Sequence, residues 1–150
     1  CSHLLAPDGQ LLLQAIVMPE SRFEAYRRSV DFIQRYVFPG SALTSVGAMA
    51  ASVGRATDLS FAHLEDLSPH YARTLQAWRA RFLSRLDDVR ALGGYDEPFI
   101  RLWDYYLAYC EAGFAERCTG VVQLLLTKPG CRRGDVYPAP QAYAPLELAG

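Results

Sequence analysis

Long apolar runs are missing from this chain of 150 residues. None approaches the roughly 20 residues needed to cross a bilayer, so no segment reads as a membrane span. A basic excess is also missing. The net charge is −1, which argues against a nucleic-acid partner. The opening residues, CSHLLAPDGQ, lack the basic stretch and apolar core of a signal peptide, and a cytoplasmic location is expected. Cysteine is sparse. Cys1, Cys110, Cys118 and Cys131 show neither CxxC nor Cys/His ligand spacing, so reduced thiols are expected and a zinc site is not. Cys110 and Cys118 fall on one predicted helix, too far apart along its axis to pair. No internal repeat is visible. No glycine-rich loop follows a strand-like run, and no acidic residue stands where a nucleotide ribose would need one.

What is present suits one domain with a real core: 51% of residues are hydrophobic and 12% aromatic. The chain starts at Cys1 without a methionine and runs at once into a turn and a strand, as a piece of a longer protein would.

The most informative stretch is HLEDLSPHYARTLQAWRARF (63–82). Ser68 reads as a helix N-cap and Pro69 as the first helical residue. Tyr71, Leu75, Trp78, Phe82, Leu86 and Val89 then recur at steps of 4, 3, 4, 4 and 3, one face of a helix over 69–92 that Gly93 and Gly94 end. Arg73, Arg79, Arg81, Arg85 and Arg90 lie mostly off that stripe. Tyr71 thus sits at a helix N-terminus, where the dipole and a phenol donor can both act on a small anion. The plainer reading is a core tyrosine with a satisfied hydroxyl.

Elsewhere, residues 11–18 (LLLQAIVM) form a nearly continuous apolar run, as in a strand buried on both faces, with Gln14 its one polar interruption. Ser21 and Glu24 match a capping box, and Phe23, Tyr26, Val30, Ile33 and Val37 mark an amphipathic helix over about 22–37. Phe38, Pro39, Gly40 and Ser41 stop it, with Phe38 held extended by the proline that follows. Thr44 or Ser45 caps a short helix over 46–53. A strand is expected over 59–64, where His63 reads as a strand-end residue rather than a ligand. Asp96 and Pro98 start a helix over 99–118 carrying Phe99, Trp103, Tyr105, Tyr106, Tyr109 and Phe114. Such a helix is either centrally buried or one wall of an apolar cavity, and Glu111 needs a partner if it is inside. Residues 121–127 (VVQLLLT) read as a third strand. The tail over 131–150 is rich in proline and reads as extended or disordered. Alternating strands and helices imply an α/β fold, with three strands leaving exposed edges.

Three stretches, DFIQRYVFPG (31–40), EDLSPHYARTLQAWRARF (65–82) and FIRLWDYYLAYCEAGF (99–114), together resemble the cyclopropane-fatty-acyl-phospholipid synthase and mycolic acid cyclopropane synthase family of S-adenosylmethionine-dependent methyltransferases. LAPDGQLLLQAI (5–16) and VVQLLLTKPG (121–130) fit its flanking strands, so the resemblance spans roughly residues 1–130. It implies the second half of a Rossmann-like methyltransferase fold. The last three strands would be present, the final one antiparallel and inserted between the other two, with helical lipid-binding insertions.

The resemblance also implies chemistry. Members pass a methyl group from S-adenosylmethionine to a double bond of an unsaturated acyl phospholipid, with a bound bicarbonate ion as base. Tyr71 matches the family's bicarbonate tyrosine. Gln14 stands at a strand-end position where many members have histidine, and Ile16 at the following backbone contact. Phe38 matches a phenylalanine of the acyl pocket, with Tyr36, Trp103 and Tyr106 expected as further substrate-binding residues. Gln14 keeps a donor but removes the titratable group, which makes a methyl-branched or methylene product an alternative to a cyclopropane. The cofactor's own loop and the family's upstream glutamate and cysteine have no counterpart here, so the chain alone is expected to bind S-adenosylmethionine poorly. Peripheral association with the inner membrane face is expected, and the open sheet edge makes a homodimer an expectation too. From other classes, the sequence also admits a stand-alone lipid-binding module, or an interaction module whose arginine-rich helix meets anionic lipid.

Overall fold

The computed structural model describes residues 1–132, so all but the first two residues of the expected 131–150 tail lie outside the described residues. After a 3-10 turn at Ser2–Leu4 come β1 (Gln10–Val17), α1 (Glu20–Tyr26), a π-helical turn (Ile33–Val37) and α2 (Val46–Ala56). β2 (Ser60–Asp66), α3 (Ser68–Leu83), α4 (Leu86–Ala91), α5 (Glu97–Ala115) and β3 (Gly120–Thr127) follow. The sheet order is β1-β3-β2, with β3 antiparallel to both neighbours.

Strand alternation sets the layers. Ile16 and Val121, paired across β1 and β3, face α3 and α5 and join Leu75, Leu107 and Phe114 in one core. Val17, Val122 and Leu124 face the other way, against Val46 and Met49 of α2. The sheet is therefore covered by an α3–α5 pair on one face and by α2 on the other. Arg79 and Asp104 tie the helix pair together at 2.7 Å. Glu111, only half-buried, adds a weaker field at the Arg79 guanidinium.

Several sequence expectations change. The strand at β1 is not buried on both faces: Leu12 is 64% and Leu13 40% exposed, because among the described residues only a single bridge, Val17 to Thr44, lies beside β1 opposite β3. The helix over 22–37 is two pieces. Asp31 and Gln34 exchange side-chain-to-backbone bonds of 2.8 and 3.0 Å, a D-x-x-Q capping box that starts a new helical turn and stops α1 from continuing. Ser21 and Glu24 form no such box. Pro19 is the N-cap of α1, and Glu24 pairs instead with Arg27 and Arg28. The helix over 69–92 breaks after Leu83, where the Ser84 hydroxyl bonds the Arg81 carbonyl and competes with the backbone ladder. Two caps stand as read: Ser45 accepts from Ala48 N–H and Asp96 from Phe99 N–H, each at 3.1 Å. The aromatic helix is amphipathic rather than apolar all round. Ile100, Leu107 and Phe114 are buried while Tyr105 and Tyr109 reach solvent.

A polar clasp closes the end of the sheet where β3 leaves it. Lys128 Nζ donates to both Asp58 oxygens at 2.8 Å, and the Ser2 hydroxyl donates to Asp58 at 2.7 Å. The Lys128 bond, then the Ser2 bond, hold the Asp58 carboxyl down at about 2. A depressed folded-state pKa gives stability that is present above the ordinary carboxylate range and lost as pH falls through it. An Asp58→Asn variant is therefore expected to melt below the parent chain at pH 7. The two melting temperatures should converge as pH falls from about 4 towards 2, as followed by circular dichroism.

Candidate active site

The turn from β2 into α3 fixes the position of Tyr71. Ser68 is the first residue of α3 rather than its N-cap, because its hydroxyl is spent elsewhere. That hydroxyl donates to Asp66 and accepts from Val121 N–H at 3.1 Å, while Asp66 also accepts Ser68 N–H at 2.9 Å. Leu67 N–H bonds the Val121 carbonyl at 2.9 Å. The Ser68 bonds, with a smaller effect from Arg117, hold the Asp66 carboxyl below the usual range. The first turn of α3 is thus stitched to the start of β3. A Cβ at Gly120 would meet Ser68 Oγ at 3.1 Å, so glycine is what lets the two elements approach.

Tyr71 then lies over the Val121 core. Its ring packs on Phe114 with centroids 4.8 Å apart and on Trp78 at 6.4 Å. Ile16 joins the same core from β1. The Tyr71 hydroxyl has no hydrogen-bond partner among the described residues. Gln14 shares the sheet face of Ile16, two residues earlier. It lies in the middle of β1 rather than at a strand end, and its Oε1 accepts from Gln123 Nε2 at 3.0 Å. Its amide nitrogen donates to no described residue. Gln14 is thus exposed on the Ile16 face of β1, while the Tyr71 ring packs on the core that Ile16 joins.

The aromatic residues fall into two groups. Phe38, Trp103 and Tyr106 belong together: Tyr106 is 5.9 Å from Phe38 and 5.1 Å from Trp103 by ring centroids. Tyr106 and Trp103 also pack on the Tyr71 core. Phe38 sits at the expected pre-proline bend, with Gly40 following in the left-handed region at φ 82°. Tyr36 is not in this group. It is 59% exposed and packs on Phe32, which leads to Tyr105 and Tyr109. The π-helical turn puts Tyr36 and Phe38 on different sides.

Burial raises the Tyr106 hydroxyl to about 12, with Cys110 and then Tyr71 adding to the effect. Burial raises the Cys110 thiol to about 11, although its bond with Tyr106 pulls the other way. With a thiolate so disfavoured, iodoacetamide at pH 8 is expected to alkylate Cys110 at least about a hundredfold more slowly than the exposed Cys1, as read by peptide mass spectrometry.

Sequence reasoning missed Gln123, and it allowed for a cavity walled by the helix over 99–118 without placing it. Gln123 was legible as the polar interruption of an apolar strand, the mirror of Gln14. The cavity, of about 690 Å³, lies between α1 and a neighbouring stripe of α5, lined by Met18, Arg22, Tyr26, Ile33, Tyr109 and Gly113 among others. It shares no residue with the Tyr71 group, and no sequence period marks it, because its walls come from three separate segments.

A match to the model of mycolic acid cyclopropane synthetase covers residues 1–124. The chain belongs to that family. Over 128 residues it is 43% identical to the tuberculostearic acid methyltransferase UfaA1 of Mycobacterium tuberculosis, covering 85% of this chain and 30% of that protein. It is 30% identical over 125 residues to the cyclopropane-fatty-acyl-phospholipid synthase of Escherichia coli, covering 83% and 30%. Among solved structures, the mycolic acid cyclopropane synthase CmaA1 complexed with SAH and CTAB superposes with a TM-score of 0.72 at 26% identity, covering 84% of this chain and 46% of that one. The chain therefore spans about a third of these curated relatives and about half of the solved synthase. The synthase family is one of class I methyltransferases, and the three-stranded sheet with its helices is the portion of that fold seen here.

The residues present do not fit a complete S-adenosylmethionine site. The hollow at the carboxyl ends of β1 and β2 is about 240 Å³ and is lined by Asp66 and Arg117, 3.8 Å apart, and no glycine-rich loop follows either strand.

Proposed function

We propose that this chain supplies the lipid- and anion-facing half of an S-adenosylmethionine-dependent methyltransferase that modifies the double bond of an unsaturated acyl phospholipid. One observation carries the reading: the Tyr71 hydroxyl has no partner among the described residues, and its ring shares a core with Ile16, Trp103 and Tyr106, the last of which packs on Phe38. A free donor on a partly apolar face suits a small anion next to an acyl chain. When bound, S-adenosylmethionine supplies the methyl group. Tyr71, Gln14 and the backbone at Ile16 would hold a bicarbonate ion, which would supply negative charge and a proton acceptor. Tyr71 and Gln14 orient that anion by hydrogen bonds that neither can lose to a neighbouring side chain. The aromatic rings exclude water and cover the acyl chain. Electron-rich ring faces next to the acyl site also favour positive charge developing there.

A second reading concerns the product. Gln14 cannot titrate, and the 43%-identical relative is named for tuberculostearic acid, so a methyl-branched or methylene product is the alternative to a cyclopropane. No helix among the described residues is long and apolar enough to cross a membrane. The proposed access to phospholipid is peripheral, and a second copy or the remaining half is proposed to pack on the exposed Leu12 and Leu13 of β1.

The half-site reading is tested by calorimetry. Titration of S-adenosylmethionine into this chain alone is expected to give no measurable heat of binding. A micromolar dissociation constant would contradict it.

A further inference from the structure

One stripe of α5 turns inward: Ile100, Leu107 and Phe114 are buried, and Trp103 and Tyr106 join the rings around Phe38. A second stripe, Arg101, Tyr105 and Tyr109, recurs every four residues and is exposed at all three positions. The π-helical turn lays another row of rings against it. Phe32 packs edge-on to Tyr105 at 4.7 Å and lies 5.5 Å from Tyr109 by ring centroids. Tyr36 packs on Phe32 at 5.8 Å. Four rings thus form one continuous surface patch, with Tyr36 59% and Tyr105 54% exposed. A contiguous aromatic patch marks a docking surface, where single exposed apolar residues would not.

The chemistry of the patch names its occupant. The hydroxyls of Tyr36, Tyr105 and Tyr109 have no hydrogen-bond partner among the described residues. The Arg35 guanidinium lies over the Tyr36 ring at 5.5 Å, and neither it nor Arg101 meets a carboxylate among the described residues. Asp31, the acid next to Phe32, accepts the Gln34 N–H. Apolar rings that end in wet hydroxyls, flanked by free guanidiniums, match the layer between acyl chains and phosphates of a bilayer. A second copy fits less well, because a two-fold contact would bring the same arginines of both copies to one interface. We propose that this face is the membrane-docking surface: Tyr36, Tyr105 and Tyr109 enter the interfacial layer of a phospholipid bilayer, and Arg35 and Arg101 pair with its phosphates. The inference rests on the lipid-methyltransferase reading above and adds where the substrate is met. Tyr105 and Tyr106 are neighbours on α5, so docking there sets the Phe38, Trp103 and Tyr106 rings about one helix diameter, roughly 10 Å, from the bilayer.

The test is co-sedimentation of the complete enzyme containing this chain with vesicles of dioleoylphosphatidylglycerol. It is paired with methyl transfer to a short-chain unsaturated phospholipid kept below its micelle concentration. Arg35→Gln combined with Arg101→Gln removes two exposed charges that hold no partner, so the fold is expected to persist, as a thermal melt checks. Vesicle affinity is expected to fall about ten- to thirtyfold, with turnover of the dispersed lipid unchanged. Tyr105→Ser is expected to weaken vesicle binding about fivefold at constant charge. Arg73→Gln combined with Arg81→Gln removes the same charge from exposed positions on α3, and is expected to leave vesicle affinity within about twofold of the parent. Parent-like vesicle affinity in both patch variants, or an equal loss in the α3 variant, would overturn the docking face and leave the lipid-methyltransferase reading standing. No methyl transfer to the dispersed lipid by the parent enzyme would overturn that reading and this inference with it.

Discussion

Replacing Tyr71 with Phe is expected to lower the turnover of methyl transfer by about a hundred- to a thousandfold in the complete enzyme, the loss typical of one donor aimed at a reacting anion. The KM for phospholipid is expected to change little, because the proposed acyl contacts are the rings of Phe38, Trp103 and Tyr106 rather than the phenol. Stability is also expected to change little. The ring, which packs on Phe114, is retained, and the hydroxyl removed has no partner among the described residues. That combination separates the proposed role from a packing role. A core tyrosine with a satisfied hydroxyl would lose stability and leave turnover alone. Steady-state kinetics with turnover and KM resolved, together with a thermal melt of the same sample, distinguish the two.

The largest effect on stability is expected at the centre of the sheet. Leu124 is 1% exposed, lies on the middle strand and packs with Val17 and Val122 under α2. Leu124→Ala is expected to cost about 2–5 kcal/mol, from lost burial plus the cavity left between sheet and helix. In a domain of this size that lowers the melting temperature by on the order of 10 °C. Leu12→Ala, on the uncovered part of β1, is expected to stay within about 0.5 kcal/mol of the parent chain. Urea unfolding followed by circular dichroism compares them directly. Equal losses at the two leucines would mean that β1 is covered in solution, by a second copy or by another segment.

The elements that could be read from residues were those with strong local signals. The helix stripe through Tyr71, Leu75 and Phe82, the Ser45 and Asp96 caps and the stop at Phe38, Pro39 and Gly40 all rest on short-range chemistry. The errors arose where two local signals competed. Ser21 and Glu24 satisfied a capping pattern, but Asp31 and Gln34 satisfied another and broke the helix between them. Ser68 had the chemistry of an N-cap, yet Val121 N–H, distant in sequence, took its oxygen. The antiparallel central β3 was legible only through family resemblance, since no periodicity encodes strand order. Of the site, Tyr71, Ile16, Phe38, Trp103 and Tyr106 were foreseen as a group and lie around connected packing. Tyr36 was expected with them, but the π-helical turn sets its ring on Phe32 and not on the Phe38 group. Gln14 was foreseen without its partner, because a cross-strand pair depends on a register that only folding sets.

The central claim is that this chain presents an acyl group and an anion to a methyl donor. The most direct test mixes the complete enzyme containing this chain with vesicles of an unsaturated phospholipid and S-adenosylmethionine labelled in its methyl carbon, then analyses the extracted lipids by mass spectrometry. The account predicts acyl chains that gain one labelled carbon at the site of the former double bond, at a rate that falls with Tyr71→Phe. Labelled carbon in the headgroup or in no lipid at all, or a rate indifferent to Tyr71→Phe, would contradict it.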